Sequence, residues 1–350
     1  MTPTKKLLKA ANEDAAIRTS LELQPAGGRG KKVFPPTYSG PNSAVYATEE
    51  RKLEDGSVAK CVLLDSVQSQ ANRMEEALLS AVREEEIELP IIQADFSDNY
   101  PDIGKITTLD APHRIADAIF RESNHNGTPF RDTDHGKAFE NSSMDDASQL
   151  YKICPTALLF GAWDSTGQSG AQFGTKFPRA ITSEIVGIDV TEGVDPSGRI
   201  SPLGITGSEA RVYEKPSGQI THDEEEAAED ADEMSPSEVN LGNVTPSYHP
   251  EGASSRDDTD PGGVTMERAE LTTVISLSGL RRLSFPEDGS TDEDRDQAAR
   301  ASLAALGVAA TALQYEHGYS LRSRCNLVPQ EPLSFEIVHN DGTTDELDIS

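Results

Sequence analysis

The 350-residue chain is short of aromatics, at 5%, and holds a single tryptophan, Trp163. It contains three cysteines, Cys61, Cys154 and Cys325, far apart and without a CxxC pair. That count and spacing exclude a zinc ribbon and point to reduced, buried thiols of an intracellular protein. There is no run of 18 apolar residues, so no membrane-spanning helix is expected. The opening MTPTKKLLKAANEDAAIRTS has neither an apolar core nor a cleavage site, which argues against a secretory signal and for a cytoplasmic protein. No GxxxxGKS/T spacing supports ATP chemistry, and no HExxH, HxH or Cys/His cluster supports a metal. No repeat with a period of 20–50 residues is present.

Positive charge is the other scarcity. Lys and Arg number 31 against 60 Asp and Glu, a net charge of −29. That sign is wrong for a typical nucleic-acid binder. The excess is uneven: residues 216–262 carry 13 acids and one base. This segment is low in aromatics and rich in Ser and Pro, and is expected to be a disordered, acidic insertion. The rest of the chain, 1–215 with 263–350, is expected to form one core. Its acidic surface with few lysines suggests a salt-adapted source. A local basic groove can coexist with such a surface, because salt at about 0.15 M screens exposed charges beyond roughly 8 Å.

Against this background one stretch stands out, PTALLFGAWDSTGQSGAQFGTKFPRAITSEIVG at 155–187. The apolar run Ala157–Phe160 and the β-rich run from Ile181 to Val190 read as strands. Between them lies a loop with Gly167, Gly170 and Gly174, closed by Lys176 and Arg179. Glycines let backbone N–H groups approach phosphates, and two cations add charge, so the layout suits a polyanion. An ordinary glycine-containing loop fits equally well. Trp163, directly after the apolar run, reads as core.

Elsewhere, residues 1–20 read as a helix. The run 57–67 reads as a strand entering a helix at 69–86, on the apolar stripe Ala71, Met74, Ala77, Leu78 and Val82. Small and amide side chains around Ser66–Arg73 suit either phosphate contacts or plain helix capping. Short strands are expected at 89–94 and 105–109, a helix at 111–121, and a long polar loop at 122–148. A strand is expected at 270–280, then an alanine-rich helix at 291–317 with Thr291 as N-cap and Gly318 as its stop. The last two strands are 320–329 and 333–340. On the first of these, Arg322 and Arg324 would share one face. Asp164 reads as a loop cap, and the seven histidines read as packing or capping residues.

Several blocks occur in the order found in one protein family. They are LLDSVQSQANRMEEAL (63–78), DAPHRIADAIF (110–120), TPFRDTDHGKAF (128–139), the 155–187 stretch and GYSLRSRCNLVP (318–329), with QPAGGRGKKVFPPTYSG (24–40) a looser fit. Together they resemble the Csb-one family, the Cas-seven-type backbone subunit of type I-G CRISPR effector (Cascade) complexes, of the RAMP superfamily. The resemblance implies an α+β fold: an RRM-like (ferredoxin-like) antiparallel sheet with helices on one face and inserted thumb and finger loops. It implies a non-catalytic protein without cofactor or metal. Such a protein lines up in copies along CRISPR RNA, and the guide pairs with target DNA. Other Cascade subunits (the large subunit and a Cas-five/six-type subunit) and, transiently, a helicase-nuclease would be its partners. The RNA-contact residues it suggests are Arg29, Lys31, Lys32, Asn72, Arg73, His113, Arg114, Arg131, Lys137, Lys176, Arg179, Arg322 and Arg324. A RAMP-type ribonuclease and an acidic scaffold without nucleic acid are the alternative readings.

Overall fold

The computed structural model describes residues 2–40, 44–164, 176–194, 197–205, 211–247 and 262–348. Gly167, Gly170 and Gly174 of the glycine-rich loop lie outside these residues, as do 248–261 of the acidic segment.

The chain divides into two compact units. The first holds residues 1–31, 48–189 and 266–350, and the second 32–47 and 190–265. The first unit is a nine-stranded sheet in which every pairing is antiparallel. In chain order the strands are β1 Ala16–Pro25, β2 Thr48–Lys52, β3 Val58–Asp65, β4 Ile181–Ile188, β5 Arg268–Ser276, β6 Tyr319–Arg322, β7 Cys325–Pro329, β8 Phe335–Val338 and β9 Thr344–Leu347. Their order across the sheet is β6-β7-β1-β5-β4-β3-β2, with β8 on β1 and β9 on β8.

Four helices matter to the site: α1 Pro3–Glu13, α2 Val67–Arg83, α3 Pro155–Phe160 and α4 Glu293–His317. The sheet's two faces are set by strand alternation. On β1, Ile17, Leu21 and Leu23 are buried, and on β5 Ala269, Leu271 and Ile275. Ile17, Ile181 and Ile275 join the main core with α2, α3 and α4 through residues such as Met74, Leu78, Leu158 and Leu303. The intervening residues Ser20, Glu22, Glu184, Glu270 and Thr272 face the other way.

A buried polar chain stitches this helix-covered face. Asp65, at the end of β3 and wholly buried, accepts from Gln70 Nε2 at 2.6 Å. Gln70 Oε1 accepts from Ser183 Oγ and from Gln314 Nε2, and Ser183 shares a 2.8 Å bond with Thr273. Strands β3, β4 and β5 and helices α2 and α4 are thereby fixed to one another, which low local polarity makes costly to break.

Several expectations need correction. The apolar run at 157–160 is helix, α3; Pro155 at its first turn favours that start, and all six residues are buried. Residues 16–25 form the central strand β1, so the N-terminal helix is shorter than expected. It stops where Asp14 takes extended geometry. The 111–121 helix breaks at Asp117, which caps the four-residue helix Ala118–Arg121 after a 3-10 turn at Arg114–Ala116. Residues 122–148 are not one loop but a small hairpin, a 3-10 turn and the helix Asp134–Glu140. The N-cap of α4 is Asp292, not Thr291. Finally, 320–329 is a hairpin: Arg324 lies at φ 62° in its turn, so Arg322 and Arg324 do not share a strand face.

The second unit consists of short strand pairs, among them Thr37–Ser39 with Ala44–Tyr46 and Thr191–Glu192 with Val264–Thr265. Tyr46 Oη accepts from Gly263 N at 2.8 Å. Within 216–262, the described residues include the strand Ile220–Thr221, paired with Tyr213–Glu214, and a 3-10 turn at Glu224–Glu226.

Candidate nucleic-acid interface

Helix α3 delivers the chain to Gly161, which sits at φ 83°. A Cβ there would lie 3.0 Å from Arg179 Cγ and 3.0 Å from the Phe177 carbonyl, so glycine is required on both counts. The turn sends Ala162–Trp163 along Lys176–Phe177 as a short antiparallel pair, with Trp163 opposite Lys176. Trp163 is not core. It is 59% exposed, and Lys176 Nζ stands 5.1 Å from its ring centroid. The lone tryptophan of an aromatic-poor chain is thus presented as an open platform with a cation beside it.

Cations converge around this platform, three of them held by acids. Asp164, next in sequence and nearly fully buried, accepts from Arg131 Nη1 at 3.0 Å and Arg121 Nη1 at 3.4 Å. Arg131 also donates to Glu140 at 2.6 Å. Arg114 is buried and binds Glu75 through both carboxylate oxygens, at 2.6 Å each, and donates to the Gly161 carbonyl at 3.1 Å. Its guanidinium lies 5.4 Å from the Phe160 ring centroid. Burial pushes the Glu75 carboxyl up to about 7, against the pull of Arg114. Arg179 is half-buried behind this pair. Burial and then the Arg114 charge hold its guanidinium below the usual arginine range, and Glu75 offsets them only in part.

Five cations (Arg114, Arg121, Arg131, Lys176 and Arg179) therefore meet three carboxylates, a local surplus on a strongly acidic chain. Lys176 and Arg179 flank the platform without a direct ion pair among the described residues. A half-buried guanidinium so crowded by a second one gains most from an incoming anion.

The remaining candidates are scattered. Arg73 and Arg322 meet at Asp65, at 2.9 and 3.5 Å. Arg73 also donates to the Leu321 carbonyl at 2.6 Å, and Arg322 to the Leu64 carbonyl at 2.9 Å. The two arginines thus strap the β6–β7 hairpin to the start of α2. Asn72 is exposed on α2, and Arg324 is exposed in the hairpin turn. Arg29 is exposed and donates to Gln330 Oε1 at 2.8 Å and Glu22 Oε1 at 3.3 Å. Lys31, His113 and Lys137 are exposed. Lys32, in the second unit, donates to the Val194 carbonyl at 2.6 Å.

Sequence reasoning missed Arg121, Glu75 and the exposure of Trp163. The available signal for the last was the Trp-Asp pair ahead of a glycine-rich loop. Among the described residues there is no group of three or more His, Cys, Asp or Glu placed to hold a metal ion. His125 and His135 have ring centroids 5.9 Å apart, and Asn126 Nδ2 lies 3.4 Å from His125 Nε2.

Compared with curated proteins, the chain finds no match. The model of the family described as CRISPR-associated protein GSU0053 matches residues 17–192, half of the chain, spanning β1 to β4 and the whole Trp163 platform. The chain therefore belongs to the CRISPR-associated protein GSU0053 family, which places it in CRISPR defence.

Proposed function

We propose that the protein is a non-catalytic backbone subunit of a type I CRISPR effector complex, a chain whose copies line up along CRISPR RNA and hold it for pairing with target DNA. The observation that carries this reading is the Trp163 platform with Lys176 and Arg179 beside it. Base–aromatic stacking is worth about 1–3 kcal/mol per base and is indifferent to sequence. Contacts of this type hold a guide while leaving its base edges for pairing.

The strand order supports an RRM-like core for this role. Taking β1, β4, β5 and β7 as the four core strands, their order across the sheet is fourth, first, third, second. Helix α2 follows the first and α4 the third, and both pack on one face. Strands β2 and β3 and residues 87–164 are then insertions. Arg114, Arg131, Arg73 and Arg322 act in this reading by fixing the frame behind the contact residues. Arg29, Lys31, Asn72, His113, Lys137 and Arg324 are left exposed to reach phosphate or ribose. The acidic segment 216–262 stays outside the RNA path, since its charge repels phosphate.

The test is co-expression with a CRISPR array and the neighbouring effector subunits, followed by size exclusion and sequencing of bound RNA. The wild-type protein is expected in a large assembly carrying array-derived RNA of discrete length. Trp163→Ala and Arg179→Ala are each expected to reduce the retained RNA at least fivefold, with unchanged melting temperature. RNA retention equal to wild type in both variants would sink the assignment of this site.

A further inference from the structure

The face of the sheet opposite the helices is an open groove, a cleft of about 900 Å³ running from β1 across β5, β4 and β3 to β2. Eight carboxylates line it against three cations. Two of the cations are already matched. Arg51 bridges Glu49 at 2.5 Å and Glu184 at 2.9 Å, and Arg268 meets Glu267 at 3.0 Å. The carboxylates are not evenly spread: Glu22 and Glu270 stand directly opposite each other on β1 and β5. Like charges at paired register positions oppose strand association. Glu22 has Arg29 at 3.3 Å, whereas Glu270 has no ion pair among the described residues.

Beneath this rim the apolar side chains are already buried. Ala59, Val186 and Ile188 form a small cluster with Cys61, packed on this side of the sheet and separate from the main core. The exposed apolar side chain of the groove is Val58, 57% exposed, and an acidic groove of this kind matches side chains with an aliphatic stem and a cationic head. The groove crosses five strands, which at roughly 4.8 Å per step spans about 19 Å, the length of about six extended residues.

We propose that this helix-free sheet face docks a lysine- and arginine-rich segment of a partner protein, about six residues long and extended. A guanidinium or ammonium between Glu22 and Glu270 converts their repulsion into two ion pairs. Nucleic acid is excluded by the same carboxylates. The inference uses none of the Trp163 platform residues.

The probe is a fluorescein-labelled Arg-Ser-Arg-Ser-Arg-Ser peptide, read by fluorescence anisotropy at about 0.15 M salt. Two double variants carry the same change in net charge: Glu184→Gln with Glu270→Gln in the groove, and Glu224→Gln with Glu225→Gln in the second unit. The groove variant is expected to weaken peptide binding at least tenfold, and the other less than twofold. Amide exchange on the wild-type protein is expected to show peptide-dependent protection at 184–188 and 268–272, which keeps the test decisive should the groove variant fold poorly. Equal weakening by both variants, or protection elsewhere, would show general charge attraction and overturn the proposal. Self-association of the free protein abolished by the groove variant alone would name a second copy as occupant and overturn the partner assignment.

Discussion

At the scale of single residues, the Arg114–Glu75 pair decides what the platform can tolerate. Both side chains are less than a tenth exposed. Removing one partner of such a pair leaves a bare buried charge, a cost of about 3–5 kcal/mol. For Arg114→Met the bare group is a carboxylate, which escapes the penalty by taking a proton. Glu75 already titrates near 7 in the folded protein against 4.5 as its ordinary value, so its contribution to stability is full below 4.5 and is lost as pH rises through 7. Without Arg114 the folded value rises further. The variant is therefore expected to lose little melting temperature at pH 5 and much more at pH 8, and thermal melts at the two pH values check this. The sequence signalled half of this pair. The family resemblance suggested His113 and Arg114 as RNA contacts, but nothing in MEEAL marked Glu75 as the buried partner of Arg114, because a Glu at a helical position is usually solvated. Trp163 was misplaced for a related reason: bulk after an apolar run reads as core, and only the turn at Gly161 aims the ring outward.

At the scale of elements, helices and long strands were legible and their junctions were not. Helix α2, helix α4 and strands β3, β4 and β5 follow from apolar spacing alone. Helix α3 was hidden because four apolar residues carry no periodicity that separates strand from helix. Strand β1 was hidden because AIRTSLELQP follows a helical run without a Pro or Gly to mark the break. The C-terminal hairpin β8–β9 carries a device not visible in sequence, since its partners are some 300 residues apart. His339 Nδ1 lies 2.6 Å from Asp14 Oδ1, at the end of α1, and Nε2 lies 3.2 Å from Asp345. Asp14 chiefly, with Asp345, raises the imidazole above its ordinary 6.5. A raised histidine contributes stability that is complete below 6.5 and is lost as pH climbs through the folded value. Melting temperature is thus expected to drop between pH 6 and 9 more steeply for the wild type than for His339→Gln. Parallel slopes would show that the contact contributes nothing.

At the scale of the whole molecule, the net charge of −29 and the small cationic surplus respond to salt in opposite ways. Added salt screens self-repulsion, so melting temperature is expected to rise between 0.1 and 1 M. RNA affinity is expected to fall, but gently. With Lys176 and Arg179 as the phosphate contacts, the slope of log affinity against log salt is roughly −1.4 for a single strand. A slope several times steeper would require the scattered lysines and arginines to contribute as well. The sheet's wiring has a separate outcome, in the order of events during synthesis. The central strand β1 pairs with residues 268–276 on one side and 325–338 on the other. On a ribosome it emerges roughly 250 residues before either neighbour, with both edges unsatisfied and its apolar face bare. Such a strand invites pairing with the wrong chain. The nascent protein should therefore depend on a holding chaperone until residue 338 is out, and refold slowly from denaturant once free.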